Sequence, residues 1–101
     1  MESNKREQYI EKLKAKLDQF NAQIDQLEAD LQEAEADTRI ELENRLTEVR
    51  TKRAEVERQL NEVESASESS WEELQSGLEN AWDELTQSLE NARQTFSERV
   101  S

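Results

Sequence analysis

At 101 residues the chain has room for one domain, and its 25 acidic against 13 basic side chains leave a net charge of -12 and a mean hydropathy of -1.13. Such acidity repels nucleic acid and anionic membranes over most of the surface. The sequence has no Cys and no His, which removes disulfides, thiolate and imidazole metal sites and His-activated nucleophiles, so neither enzymatic activity nor a cofactor is expected.

Leu, Ile, Val and Phe make up about a fifth of the residues, close to the floor for a chain that packs a core. Order must come from arrangement. Just over half of the chain is Ala, Glu, Lys, Leu or Arg, with no Pro and a single Gly, the composition of long helices and coiled coils. The opening Met1-Glu-Ser-Asn-Lys-Arg-Glu7 has no apolar leader, and no run approaches the length that spans a bilayer, so the expected compartment is the cytoplasm. Lys5, Arg6, Lys12, Lys14 and Lys16 give residues 1–17 a small positive surplus, too little for a phosphate or headgroup site.

From Ile10 the apolar residues step alternately by three and four: Ile10, Leu13, Leu17, Phe20, Ile24, Leu27, Leu31 and Ala34. This is a heptad seam, which assigns an oligomer interface to Ile10, Leu13, Leu17, Phe20, Ile24, Leu27 and Leu31. After Thr38 the steps lengthen to four through Leu42 and Leu46, then return to the heptad rhythm with Val49, Arg53, Val56, Leu60 and Val63. The insertion relaxes a left-handed supercoil without ending the helix. Residues 4–64 are therefore predicted as one long helix. Thr38 and Arg53 weaken its seam. Ala15, Ala22, Ala29 and Ala36 recur every seven residues on the opposite face, where they serve either helix propensity or the close approach of another helix.

Ser65-Ala-Ser-Glu-Ser-Ser70 interrupts the pattern. Ser69 with Glu72 and Ser70 with Glu73 match the capping box, placing a second helix over residues 71–100. The stripes on either side stay in phase, so one continuous helix is the alternative. Charge favours a fold back: Arg39, Arg45, Arg50, Lys52, Arg53 and Arg58 would face Glu72, Glu73, Glu79, Asp83, Glu84 and Glu90. The basic residues also suit local pairs, Glu35 with Arg39, Glu41 with Arg45 and Glu48 with Lys52. The predicted class is all-α, a long helix with a shorter C-terminal helix folded back as an antiparallel hairpin.

Such a hairpin leaves residues 9–31 uncovered, because about 45 Å of helix cannot cover about 90 Å. Between Lys16 and Arg39 every charge is negative, so parallel pairing of two copies would repel. Antiparallel pairing instead sets Lys12, Lys14 and Lys16 near Asp25, Glu28 and Asp30. An elongated antiparallel homodimer, or a four-helix assembly with that pairing, is expected.

Trp71-Glu-Glu-Leu-Gln-Ser-Gly-Leu-Glu-Asn-Ala81 is followed by Trp82-Asp-Glu-Leu-Thr-Gln-Ser-Leu-Glu-Asn-Ala92, an eleven-residue phrase repeated with seven positions identical. Eleven residues make about three turns, so Trp71, Leu74, Leu78, Trp82, Leu85, Leu89, Ala92, Phe96 and Val100 form one stripe. Trp71, Leu74, Leu78, Trp82, Leu85, Leu89 and Phe96 are the candidate interaction face. A neutral lipid surface, a client protein or a neighbouring helix could cover it. The acidic opposite face favours a helix, since lipid-surface helices usually carry Lys and Arg there.

The repeat, together with the opening Tyr9-Ile-Glu-Lys-Leu-Lys-Ala-Lys-Leu-Asp-Gln-Phe-Asn-Ala-Gln-Ile-Asp-Gln-Leu-Glu-Ala29, resembles a group of short bacterial coiled-coil proteins of undescribed function. These have a Trp-bearing, apolipoprotein-like amphipathic tail. The resemblance spans almost the whole chain. It implies a bacterial helical protein and carries over no catalytic residue. Members often have Gly in the break where this chain has Ser and Glu.

The adjacent carboxylates Glu72 and Glu73, and Asp83 and Glu84, match no calcium-loop spacing and read as a solvated acidic face. Gly77 stands outside any phosphate-cradling pattern. The functional expectation is a non-enzymatic scaffold or adaptor acting as a homo-oligomer, with lipid or interface binding through residues 71–100 as the alternative.

Overall fold

A computed structural model describes the backbone of residues 2–100 and the side chains of residues 5–97. Among the described residues the chain forms α1 (Glu2–Glu33), α2 (Ala36–Ser65) and α3 (Trp71–Val100). Thirty residues of helix are about 45 Å long, and the molecule measures 52 × 18 × 17 Å, so three helices lie side by side. Cross-helix contacts give their directions. Lys14 meets Glu64 and Arg50 meets Glu28, so α1 and α2 are antiparallel. Lys52 meets Glu84 between antiparallel α2 and α3. Tyr9 and Phe20 meet Trp71 and Trp82, which makes α1 and α3 parallel neighbours.

The predicted hairpin at residues 65–70 is present, and α2 and α3 are the pair whose backbones approach most closely. The turn is built by the backbone amides of Ser70 and Trp71 donating to the Ser67 carbonyl, and Ser67 Oγ bonds to the hydroxyls of Ser69 and Ser70. Helix α3 opens at Trp71, with Glu72 and Glu73 favourably placed in its first turn.

The predicted helix over residues 4–64 is divided. The chain reverses at Ala34 and Glu35, the latter extended at φ -65° and ψ 160°. Folding α1 back covers the stripe that a two-helix hairpin leaves bare. Ile10, Leu13, Leu17, Ile24, Leu27 and Leu31 are all buried within the chain, and each such side chain contributes about 1.5–3 kcal/mol on leaving water. The premise that residues 9–31 require a second copy therefore falls away.

From α2 come Leu42, Leu46, Val49, Val56, Leu60 and Val63, and from α3 Leu78, Leu85, Leu89 and Ala92, closing one continuous core. Arg53, out of place on an apolar seam, sits at its edge, where Nη1 donates to Asn21 Oδ1 and Nε lies 3.6 Å from Glu57. Ala15, Ala22, Ala29 and Ala36 all point to solvent, consistent with helix propensity as their role.

Candidate interaction face

The side chains assigned to two separate surfaces, a stripe on α3 and a seam on α1, converge on one another. Trp71, Leu78, Leu85 and Leu89 are buried, while Leu74, Trp82 and Phe96 are half-buried against the same core. Phe20 of the α1 seam is likewise half-buried against it. The side chain of Val100, the end of the predicted stripe, lies outside the described residues.

Spacing explains how α1 and α3 fit. Tyr9 and Phe20 are eleven residues apart, as are Trp71 and Trp82, so parallel helices set the two pairs opposite one another. The Tyr9 and Trp71 rings tilt at 48° with centroids 6.4 Å apart. Phe20 meets Trp82 edge to face at 4.9 Å and 72°. Such aromatic pairs add about 0.5–1.5 kcal/mol beyond area burial. Each indole also lies beneath a cation from α1: the Arg6 guanidinium is 5.9 Å from the Trp71 ring and Lys16 Nζ is 5.9 Å from that of Trp82.

Arg6 is anchored at the same end, where Nη1 donates to the Ala66 carbonyl at 2.6 Å. That bond ties the start of α1 to the end of α2. The Tyr9 phenol has its pKa raised by burial and by the nearby charge of Glu79, against a lowering by Gln75. Trp71 Nε1 is buried without an acceptor, which costs about 1–3 kcal/mol and makes this the least satisfied corner of the core.

The other flank of α3 is built from small residues. Ala81, Ser88 and Thr95, seven apart and all buried, share it with Gly77 and Glu84, which meet Gln59 and Lys52 of α2. Small side chains let two axes come close, which explains why α2 and α3 approach more tightly than α1 approaches either. Both hydroxyls are satisfied within α3, Ser88 donating to the Leu85 carbonyl at 2.9 Å and Thr95 to that of Asn91 at 2.9 Å. This row lies outside the aromatic and leucine stripe that the sequence predicts as the interaction face. A seven-residue recurrence of Ala, Ser and Thr was the available signal.

The outer surface is polar and strongly charged. Among the described residues the large apolar side chain left in solvent is Ile40, 61 % exposed. The groove between α1 and α3 is lined by Tyr9, Lys12, Lys16, Glu79, Trp82 and Asp83, so the Trp82 indole forms part of its wall. No helix among the described residues is long and apolar enough to cross a membrane. On the outer face of α2, Glu55 accepts from Arg58 and Gln59, and these hydrogen bonds lower its pKa to about 2. Arg58 also pairs with Glu62, and its own pKa is raised, chiefly by the Glu55 bond.

Comparison with family models, with curated proteins and with solved structures gives no match. Any functional reading therefore stands on the geometry of this chain.

Proposed function

We propose that the chain is a non-enzymatic helical interaction protein, a small bundle that works as a scaffold or adaptor through helix-to-helix contact. The observation that carries this reading is the pairing of Tyr9 and Phe20 with Trp71 and Trp82, which devotes the most distinctive repeat in the chain to packing one helix on another. The acidic exterior suits a partner that presents basic side chains, because the net charge of -12 opposes anionic surfaces.

A second reading has a specific observation behind it. The Trp stripe of α3 is covered by α1 through aromatic and cation contacts, whereas the small-residue flank against α2 is closer packed. Departure of α1 would bare a repeated, Trp-bearing apolar face of the kind that enters a lipid interface.

Trp emission separates the two, since Trp71 and Trp82 are the only indoles. The helix-contact reading expects blue-shifted emission in buffer that does not change on addition of neutral or anionic vesicles. A further blue shift with vesicles, accompanied by co-sedimentation, would replace it with the lipid reading.

A further inference from the structure

The joint between α1 and α2 is made of residues that favour the helix it interrupts. Gln32-Glu-Ala-Glu-Ala-Asp37 contains no Gly or Pro, and no residue of the described backbone has a positive φ that would mark a dedicated turn. Glu35 occupies the N-cap of α2 without a side-chain cap bond. Helix α1 ends with Asp30 and Glu33 and no basic residue in its last turn, the unfavourable sign for the negative end of a helix dipole. The reversal is held by Arg39, whose Nη2 donates to the carbonyls of Ala34 at 3.1 Å and Gln32 at 3.4 Å.

A second feature concerns phase. A connection between two bundle helices has no need to keep their apolar faces aligned, yet Leu31, Ala34, Thr38, Leu42, Leu46 and Val49 stay within about 60° of one line if the helix runs straight through, at 100° per residue. Both forms of the chain are thus encoded, one with the joint bent and one with it straight. In the straight form α1 must leave its own α2–α3 hairpin, and a second copy offers the same surface.

We propose that α1 is exchangeable: residues 34 and 35 straighten into a continuous helix, and α1 docks on the α2–α3 hairpin of a second copy of this chain. This deepens the interaction-protein reading by naming the partner. The exchanged dimer has two long helices, each about 95 Å, running antiparallel. Residues 9–31 of one copy lie against residues 42–63 of the other rather than against their own counterparts. The helix-to-helix contacts that now hold α1 are regained between copies, including Tyr9 with Trp71, Phe20 with Trp82 and Lys14 with Glu64, while the Arg39 bonds at the joint give way to backbone hydrogen bonds of the continuous helix. Equality of contacts is what makes exchange accessible, and the joint supplies the bias.

The structure supplies a substitution that separates the two forms. Ala36 is the first residue of α2, and Glu35 before it has the extended backbone that precedes proline. Ala36→Pro is therefore accommodated by the bent joint. In a continuous helix it removes a hydrogen bond and clashes with the preceding turn.

In the test, full-length chains carrying Lys14→Cys are mixed with chains carrying Glu64→Cys, refolded together at high concentration and treated with a short bis-maleimide. The same reagent on the double variant, Lys14→Cys with Glu64→Cys, shows that it spans the 14–64 pair within one folded chain. Exchange predicts a cross-linked heterodimer from the mixture. It also predicts that Ala36→Pro in both chains lowers its yield at least about a hundredfold while the helical circular dichroism is kept. A mixture that yields only monomer while the double variant cross-links would overturn the proposal, as would a dimer whose yield Ala36→Pro leaves unchanged. A double variant that stays uncross-linked would overturn the packing of α1 on α2 from which it starts. The vesicle experiment reads the Trp face independently, so failure of exchange and failure of the helix-contact reading are told apart.

Discussion

Gly77 lies in the interior of α3 with no positive φ, half-buried on the flank facing α2. A Gly there costs about 0.8–1.0 kcal/mol relative to Ala through helix propensity alone. Against that gain stands one close contact: a Cβ on residue 77 would lie 2.9 Å from Gln59 Oε1 and 3.9 Å from Gln59 Cδ. The obstructing atom is the far end of a flexible amide, partly exposed and held by its Nε2 donating to Glu55 Oε1 at 2.8 Å. A shift of a few tenths of an ångström about a soft terminal torsion relieves the contact, and weakening that hydrogen bond costs about 0.5 kcal/mol. Gly77→Ala should therefore stabilise the bundle by about 0.5 kcal/mol, a rise in Tm of about 2–4 °C. Urea and thermal unfolding followed at 222 nm would read it. Destabilisation by more than about 0.5 kcal/mol would refute the reasoning. The cause would then be either a Gln59 amide that cannot move aside or an approach of α2 to α3 fixed by the backbones. Adding Gln59→Ala then locates the error: recovery of stability assigns the clash to the amide, and persistence assigns it to the helix axes.

Leu85, fully buried in the shared core, should lose about 2–5 kcal/mol on replacement by Ala. Because a domain of this size is stable by only about 5–15 kcal/mol, the urea midpoint should fall markedly, and an unchanged midpoint would contradict the packing. Glu55 provides a titration test. Its pKa is depressed to about 2 by hydrogen bonds from Arg58 and Gln59, so its folded-state contribution is present above the ordinary carboxylate range and is lost as pH falls through about 2. Carboxyl NMR of the folded protein should show Glu55 titrating well below the ordinary glutamate value, and Arg58→Ala should return it toward about 4.3. A normal midpoint in the parent protein would show that the Arg58 contact does not persist in solution.

Much of this architecture is written locally. Helix propensity and the spacing of Ile10 to Leu31, Leu42 to Val63 and Trp71 to Phe96 specify which residues turn inward, because side chains three and four apart share a face in any helix. The break at Ser65 to Ser70 was legible for the same reason, through its serines and the acidic residues that follow. Of the six basic residues expected to face α3, Lys52 does so at Glu84, whereas Arg50 pairs with Glu28 of α1 and Arg58 with Glu55 and Glu62 of its own helix. Local pairing of basic residues was a weaker guide, since Arg39 turns instead to the carbonyls at the end of α1.

Two features belong to the tertiary structure alone. The reversal at Ala34 and Glu35 runs against the propensity of its own residues and is compensated by area that α1 buries on the other two helices, a gain no local window contains. The same reversal makes α1 and α3 parallel neighbours, and only then do the eleven-residue intervals from Tyr9 to Phe20 and from Trp71 to Trp82 become one interface. An interval along a single helix says which face a side chain occupies; which other face it meets is decided by the direction in which the chain returns.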